Sequence, residues 1–411
     1  MFASTLVHVK YKEYYCSMKK IVSIIGGGPA ALMCAAFLDP DKFEVTIYEK
    51  NKTVGRKFLV AGKGGFNLTH SESVINMITR YTPALFLEEA LLAFDNKHLR
   101  DWLLALNIPT FIGSSNRIYP EKGIKPIEVL NSILSCLQKN KVQIKYQHNW
   151  CGWEADTLVF NSDVRVVSDY VVFALGGKSW AKTGSDGSWL ETFNSQGVLV
   201  KPFQVSNCAF GVNWGQDFIE KHQGAPLKNI TISCLDKCQK GEVVLTRFGL
   251  EGNAVYALSP QIRDLFNKSN KAFVFIDLKP RVSASALLGK FQNAACKKTT
   301  DILKKDLNMS SVQVALVKYY VSKEVFMNPT LLIEQIKNLK IDLTSCAPIQ
   351  EGISTVGGIA LDALESNFQL KNRKDTYCIG EMLDWDAPTG GYLLQACFSM
   401  GVALARSLNK S

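Results

Sequence analysis

The chain has 411 residues, of which 47% are hydrophobic and 20% charged, so it can bury at least one large core and we expect two or three domains. Its apolar stretches, such as residues 171–175, are strand-length and far shorter than the roughly 18 to 20 residues of a membrane-spanning helix, which argues against a membrane protein. The net charge of +10 is uneven, because residues 261–340 alone carry an excess of eight positive charges. That segment is either a solvated helical surface or a site for a polyanion.

The first residues and the cysteines indicate where the protein works. Residues 1–17 lack the apolar core and cleavage site of a signal peptide, so we interpret them as a leader and take Met18 as a candidate start. The eleven cysteines are scattered singly, and the closest pair, Cys234 and Cys238, has no second pair or histidine nearby. We therefore predict no metal site, no redox-active CxxC motif and a cytoplasmic location.

The predicted elements begin with a βαβ unit: a strand over 21–25, a helix over 30–38 and a strand over 43–48. A Gly-rich loop, 55–67, follows. Further along, we predict helices over 84–95, 99–106 and 127–139, short strands over 143–146 and 157–160, and a buried strand within the apolar run 169–175.

The pattern changes after Pro202. Alternating strands are predicted over 230–234, 242–246 and 272–276, which suggests a β-rich insert. From residue 283 the apolar period becomes helical, and this is the basic segment. A final strand over 376–379 and a closing helix over 391–408 repeat the strand, glycine, helix order of the start.

The segment Gly26-Gly27-Gly28-Pro29-Ala30-Ala31 fits the dinucleotide-binding fingerprint between a strand and a helix. The first glycine permits a tight turn, the second allows the backbone to approach a pyrophosphate, and the helix amino terminus stabilises its charge. Glu49, at the end of the second strand, is positioned to accept hydrogen bonds from ribose hydroxyls. An ordinary turn between strand and helix is the alternative.

Two further segments favour FAD over NAD. Gly55-Arg56-Lys57 follows the ribose-binding acid and places an arginine fork, suited to phosphate oxygens, in the next loop. Near the carboxyl terminus, Gly380-Glu381 offers an acid for a ribitol hydroxyl, and Gly390-Gly391-Tyr392-Leu393 opens a helix whose N–H groups can face the flavin. A surface arginine and a plain helix start are the corresponding alternatives.

These segments together resemble the BaiN-like (YhiN-like) NAD(P)/FAD-dependent oxidoreductases over nearly the whole chain from Met18. Further motifs carry the resemblance, namely residues 54–70, 174–177, 183–187, 246–252, 380–384 and 388–392. The predicted cofactor-binding residues are Gly26, Gly28, Pro29, Ala30, Ala31, Glu49, Lys50, Gly55, Arg56, Lys57, Gly64, Asn67, Gly176, Gly177, Gly380, Glu381, Gly390, Gly391, Tyr392 and Leu393. Where better-known members carry a cysteine on the flavin loop, this chain has Gly65-Phe66-Asn67, which indicates a separate branch.

The resemblance implies an α/β, Rossmann-type FAD-binding domain interrupted by a β-barrel-like insert, which itself carries a small helical insert. We place the FAD-binding domain at 18–201 and 347–411, the β-rich insert at 202–282 and 338–346, and the basic helical insert at 283–337.

The reaction type that the resemblance implies is reduction of a C=C bond conjugated to a carbonyl, by hydride transfer from reduced flavin. Lys63, Asn67, His70 and Arg247 are the candidate catalytic residues, and Arg117 and Tyr119 are further candidates for substrate contact. FAD is the expected cofactor; because no second fingerprint is present, NAD(P)H is expected to bind transiently, with another reductant as the alternative.

Three functions stay open at this stage. The substrate is a small molecule, or it is a pyrimidine in RNA that the basic insert grips, or the protein binds FAD as a structural cofactor only. The sequence does not fix the oligomeric state.

Overall fold

The computed structural model describes residues 19–60, 65–294 and 297–411. Its central sheet has five parallel strands, in the spatial order Thr376–Cys378, Tyr170–Phe173, Lys20–Ile25, Phe43–Glu49 and Gln143–Tyr146. Ile24, on the middle strand, pairs with Val172 on one side and Ile47 on the other. Both ends of the chain therefore build one Rossmann-type sheet, which confirms the predicted fold class.

Helices cover this sheet. The first begins at Pro29, a residue suited to the first helical turn because it lacks an N–H group, and it packs against the last helix of the chain. The α-helices of this part are Pro29–Phe37, Arg56–Val60, Val74–Ile78, Glu88–Ala93, Asn96–Ala105, Pro126–Lys139, Leu190–Ser195 and Tyr392–Leu408. Short 3₁₀ turns are formed by Asn161–Asp163, Ala181–Thr183, Ile349–Glu351 and Leu361–Ala363.

Two small antiparallel sheets flank the central one. Arg117–Pro120 pairs with Thr69–His70 on one side and Thr110–Ile112 on the other, and Thr157–Phe160 pairs with Trp150–Glu154 and Arg165–Val166. The register of the first of these sheets places His70 directly opposite Arg117.

A second hydrophobic core lies between residues 208 and 347, separate from the core of the central sheet. Its seven-stranded antiparallel sheet has the order Leu339–Leu343, Ala272–Asp277, Pro226–Cys234, Lys237–Leu245, Gly249–Glu251, Phe210–Gly211 and Ser345–Cys346. Its helices are Gln216–His222, Asn253–Tyr256, Ser259–Ser269, Ala284–Gln292, Thr299–Asp301, Ile302–Asp306, Ser311–Tyr320, Lys323–Met327 and Pro329–Lys337, of which Ile302–Asp306 is a π-helix. The pair Val200–Ser206 and Ser354–Ile359 leads into and out of this region.

Some local predictions were wrong. The predicted helix over 84–95 is helical only over Glu88–Ala93, because Leu85 has a left-handed backbone (φ 70°) that a helix does not accommodate. Part of the loop predicted over 55–67 forms the helix Arg56–Val60. In the described part of the chain, no helix is long and apolar enough to span a membrane.

Candidate active site

A cleft runs along the carboxyl edge of the central sheet, where the strand order reverses. Such an edge is the usual ligand site of doubly wound sheets. Four segments meet there: the glycine turn with Gly28, the end of the strand Phe43–Glu49, the residues after the strand Tyr170–Phe173, including Gly176, and the carboxyl-terminal pair Gly380-Glu381. The fold therefore brings residues from both ends of the chain together in this cleft, as the sequence analysis expected.

The glycine turn leaves space on one side only. Gly26 has a φ of 102°, and a Cβ there would lie 2.5 Å from the carbonyl oxygen of Ala174. A Cβ on Gly27 would overlap the side chain of Val54. A Cβ on Gly28 would meet no atom within 4 Å, and Gly28 also caps the helix that starts at Pro29. The open side of the turn thus combines free space with a helix amino terminus, which suits a pyrophosphate.

Glu49 is held at the base of the cleft and is 8% exposed. Its carboxylate accepts hydrogen bonds from the backbone N–H of Gly27 (2.9 Å) and from the backbone N–H of Asn51 (2.8 Å). Oε1 also accepts from Asn51 Nδ2 (2.6 Å), whereas Oε2 accepts only from Gly27 among the described residues and so retains capacity for a ribose hydroxyl. Beside it, Lys50 forms an ion pair with Asp186 at 2.8 Å.

The loop after Glu49 brings two cations into the same cleft. Lys57 Nζ donates to Ser179 Oγ (2.8 Å) and to Glu381 Oε2 (2.7 Å). Arg56 Nη2 donates to the carbonyl oxygen of Lys182 at 3.0 Å, whereas its buried Nε has no hydrogen-bond partner in the described part of the chain. A buried guanidinium N–H without a partner is costly, so this atom indicates a missing acceptor.

These observations test whether the residues fit FAD, and they do. The open glycine turn suits the pyrophosphate, Glu49 suits the ribose hydroxyls, and the unpartnered Nε of Arg56 suits a phosphate oxygen. Glu381 and Lys57 line the same cleft, and an acid paired with an amine suits a polar ribitol chain. No group of three His, Cys, Asp or Glu residues that could hold a metal occurs among the described residues.

A second cavity, of about 470 Å³, lies between the two cores. The segment from Gly380 to Tyr392 joins it to the cofactor cleft, because Gly380 and Glu381 line the cleft and Gly390 and Tyr392 line the cavity. Polar and apolar atoms line the cavity in similar proportion, and its charged and titratable lining residues are His70, Arg80, Arg117, Lys237, Lys240, Glu242, Tyr256, Asp386 and Tyr392.

A hydrogen-bond network forms one wall of this cavity. Glu72 accepts from Tyr392 Oη (2.6 Å) and from Arg80 Nε and Nη2 (3.1 and 2.9 Å). The ring of Tyr392 stacks on the imidazole of His70 with centroids 5.2 Å apart. His70 Nδ1 accepts from the backbone N–H of Glu72 at 3.2 Å, so its Nε2 carries the proton when the ring is neutral.

Arg117 lies beside this network without a counter-ion. Its side chain makes no hydrogen bond or ion pair with the residues that the structure describes, and its Nε lies 3.3 Å from the position that a Cβ on Gly390 would take. Only glycine, with its φ of 115° and no side chain, lets the guanidinium approach the turn so closely. The cavity therefore contains a free fork of N–H donors next to the carboxyl-terminal Gly-Gly pair.

The charges of this wall shift the pKa values of its members. Burial lowers the pKa of His70, and the nearby Arg80 and Arg117 charges lower it further, against the opposing charge of Glu72 and a hydrogen bond to the backbone of Ser115. Burial opposes ionisation of Glu72, yet hydrogen bonds from Arg80 and Tyr392 hold its pKa below the ordinary carboxyl value. Burial and donation to Glu72 raise the pKa of Tyr392. At neutral pH the wall holds a neutral histidine, a carboxylate and a neutral phenol.

The other predicted site residues are distributed as follows. Pro29, Ala30 and Gly55 line the cofactor cleft, whereas Ala31 is fully buried in the core beneath it. Gly177 packs tightly against Thr355, Gly391 packs against the backbone of Thr69, and Leu393 packs against the core. Lys63 and Gly64 lie outside the described residues.

Two candidate catalytic residues lie away from the groups described above. Asn67 lines neither cavity in the described structure, although its buried Nδ2 has no partner among the described residues. Arg247 is exposed, donates to Gln223 Oε1 at 2.7 Å, and also lines neither cavity. The glycines near Arg247 serve packing, because a Cβ on Gly249 would overlap the carbonyl oxygen of Phe210.

Glu72, Arg80 and Asp386 are site residues that sequence reasoning missed. No motif marks them, because their partners lie far away in the chain: Tyr392 is 320 residues from Glu72, and Ser206 is 180 residues from Asp386.

The parallel sheet, the glycine turn and the cofactor cleft define an FAD-binding flavoprotein of the Rossmann type. Comparison with known proteins agrees: residues 20–407 match the family described as HI0933-like protein Rossmann domain. The chain belongs to this family and is an FAD-dependent oxidoreductase, as the sequence predicted.

Its relatives include proteins with different named substrates. The chain is 25% identical to the 3-dehydro-bile acid delta(4,6)-reductase of Clostridium scindens and 24% identical to the ribosomal RNA dihydrouridine synthase of Haemophilus influenzae. Each alignment covers 94% of this chain and 98% of the relative. Among solved structures, a 3-ketosteroid-delta4-(5alpha)-dehydrogenase of Rhodococcus jostii matches with 13% identity and a TM-score of 0.49, over 97% of this chain and 99% of the other.

Proposed function

We propose that the chain reduces a C=C bond conjugated to a carbonyl in a small molecule. The observation that carries this proposal is the pairing of His70 with Arg117 in the cavity that adjoins the cofactor cleft. Both side chains offer N–H donors at one place, as stabilisation of a developing oxyanion requires. The named activity of the Clostridium scindens relative, reduction of a bile acid, supports the same reaction type.

Bound FAD, when reduced, supplies the hydride that the β-carbon of the substrate accepts. The protein residues act on the other end of the conjugated system. Arg117 and the Nε2–H of His70 donate hydrogen bonds to the carbonyl oxygen and stabilise the negative charge that develops there. Because the lowered pKa keeps His70 neutral, it acts as a hydrogen-bond donor rather than as a charged acid. Water in the open cavity supplies the proton that the α-carbon takes up.

The network behind these donors orients them. Glu72 fixes Tyr392 and Arg80 through three hydrogen bonds, and Tyr392 supports the face of the His70 ring. Asn96 Nδ2 donates to the carbonyl oxygens of His70 (2.6 Å) and Glu72 (2.8 Å), which holds the turn between them. We propose NAD(P)H as the transient electron donor and His70 with Arg117 as the residues that contact the reacting carbonyl.

The proposal is tested with FAD-loaded protein that is first reduced without a nicotinamide and then mixed anaerobically with a Δ4-3-keto bile acid. Return of the oxidised flavin spectrum, together with a product heavier by two hydrogens, is the expected result. Arg117→Ala should slow this step at least about a hundredfold, whereas Arg247→Ala, an arginine outside both cavities, should not. Equal rates for the two variants, or no turnover of any conjugated ketone, would refute the proposal.

A second candidate substrate is a pyrimidine in RNA, whose conjugated C=C bond suits the same donors. The observation that favours it is the name of the Haemophilus influenzae relative. The helical segment of the insert adds exposed cations, including Lys298 and Lys304. Formation of dihydrouridine in ribosomal RNA by the reduced protein, abolished by Arg117→Ala, would establish this alternative; reduced protein that leaves the RNA unchanged would eliminate it.

A further inference from the structure

The charges that line the second cavity do not balance. Arg80 is neutralised by Glu72, and Asp386 is neutralised by Arg263 at 2.8 Å. Of the remaining charges, Glu242 is the one anion in the described lining, and its nearest cation, Lys228, is 4.0 Å away. Arg117, Lys237 and Lys240 have no ion-pair partner among the described residues. The cavity thus holds an excess of positive charge.

The unpaired cations come from two different walls. Arg117 belongs to the small sheet of the FAD-binding part, beside Gly390, and it serves the reacting carbonyl in the proposed function. Lys237 and Lys240 belong to the strand Lys237–Leu245 of the insert. Both line the cavity, where Lys237 is half-buried and Lys240 is exposed. The two lysines therefore lie on a different wall of the cavity from Arg117.

We infer that the substrate carries an anionic group, a carboxylate or a phosphate, that Lys237 and Lys240 bind while the conjugated carbonyl lies at His70 and Arg117. This inference rests on the proposed function and adds a recognition site to it. Unpaired ammonium groups that line a cavity attract and orient an anion, and they carry no role in the reaction itself. The insert is then the part of the protein that selects the substrate.

The test is calorimetric binding to the oxidised, FAD-loaded protein, with two ligand pairs that differ only in charge. One pair is 3-oxochol-4-enoate and its methyl ester, and the other is uridine 5′-monophosphate and uridine. We expect the anion of at least one pair to bind about tenfold more tightly than its neutral partner. The pair that shows the preference identifies the source of the anion, a carboxylate or a phosphate.

Charge reversal by Lys237→Glu and Lys240→Glu should abolish that preference. Lys271→Glu, a matched change at an exposed lysine that lines neither cavity, should retain it. If the reversed variant is poorly folded by circular dichroism, Lys237→Gln with Lys240→Gln provides the neutral version of the same test. Equal affinities within both pairs, or a preference that survives the lysine substitutions, would overturn the inference.

The outcomes also separate this inference from the proposed function. A charge preference that depends on the two lysines, in a protein that reduces neither ligand, would support the anion site and count against the reaction. If the protein reduces both the acid and its ester but binds them with equal affinity, the result would support the reaction and count against the anion site.

Discussion

Lys57 and Glu381 are separated by 324 residues in the chain, yet their side chains form an ion pair of 2.7 Å within the cofactor cleft. Lys57 follows the second strand of the central sheet, and Glu381 follows the last one. The pair therefore connects the amino-terminal and carboxyl-terminal parts of the FAD-binding fold within the cleft where we expect FAD to bind.

Replacing Glu381 by Gln should weaken FAD binding about tenfold, because a neutral amide accepts hydrogen bonds less strongly than a carboxylate. The ion pair is partly exposed, so its own contribution to folding should be no more than about 1 kcal/mol. Titration of the FAD-free protein with FAD measures the affinity, and urea unfolding measures the stability. Glu351→Gln, at an exposed acid outside the cleft, is the control. Unchanged affinity in Glu381→Gln would remove Glu381 from the cofactor site.

Alanine substitutions at two positions of the glycine turn should have different effects, one on FAD affinity and the other on stability. Gly28→Ala places a methyl group in open space on a backbone with φ −84°, which alanine accepts, so unfolding should change by no more than about 0.5 kcal/mol. FAD affinity should nevertheless fall at least about tenfold, because the methyl group occupies the side open to the pyrophosphate.

Gly26→Ala is the matched change. Gly26 has a φ of 102°, and a new Cβ would lie 2.5 Å from the carbonyl oxygen of Ala174. The substitution should therefore lower the free energy of unfolding by about 1–3 kcal/mol. A Gly28→Ala protein that binds FAD normally would show that the pyrophosphate lies elsewhere.

The sequence predicted those parts of the site that depend on local backbone geometry. The residues from Gly26 to Ala31 and Glu49 fall within one βαβ unit, where spacing fixes their positions. The register that places His70 opposite Arg117 was not predictable in this way, because it depends on a two-residue strand without a recognisable pattern.

Arg247 illustrates a different limit of local reasoning, because it lines neither cavity of the described structure. Gly249, two residues beyond Arg247, must be small because its backbone closely approaches the strand at Phe210. A motif can therefore be explained by packing as well as by function, and only the tertiary structure distinguishes the two.

His70 should show a pKa that depends on Arg117. Its folded-state pKa is depressed, so the ring stays neutral as the pH falls through the ordinary value of 6.5 and protonates only at lower pH. Removing the positive charge in Arg117→Gln makes protonation easier and should move the pKa of His70 upward. Ring-proton NMR titration, with the His70 signal assigned from its loss in His70→Asn, measures the shift. Arg247→Gln should leave it unchanged, and a downward shift in Arg117→Gln would contradict the placement of the two residues.

The buried ion pair between Arg263 and Asp386 should be the strongest single connection between the insert and the FAD-binding part. Asp386 is 2% exposed and also accepts from Ser206 Oγ at 2.7 Å, so little of its charge can be solvated once Arg263 is removed. Arg263→Leu should therefore cost about 3–5 kcal/mol in urea unfolding of the FAD-free protein. Adding Asp386→Asn should recover part of that loss, because it removes the unpaired buried charge.

Lys201 and Asp384 provide the comparison for this pair. Their nitrogen and oxygen atoms are 2.6 Å apart, but the Lys201 side chain is 60% exposed, so water can replace the contact. Lys201→Leu should cost no more than about 1 kcal/mol. Since the ion-pair distances are similar, the difference in burial alone predicts the difference in stability. Equal losses in Arg263→Leu and Lys201→Leu would mean that water reaches Asp386 and that the two parts of the protein are joined mainly by apolar packing.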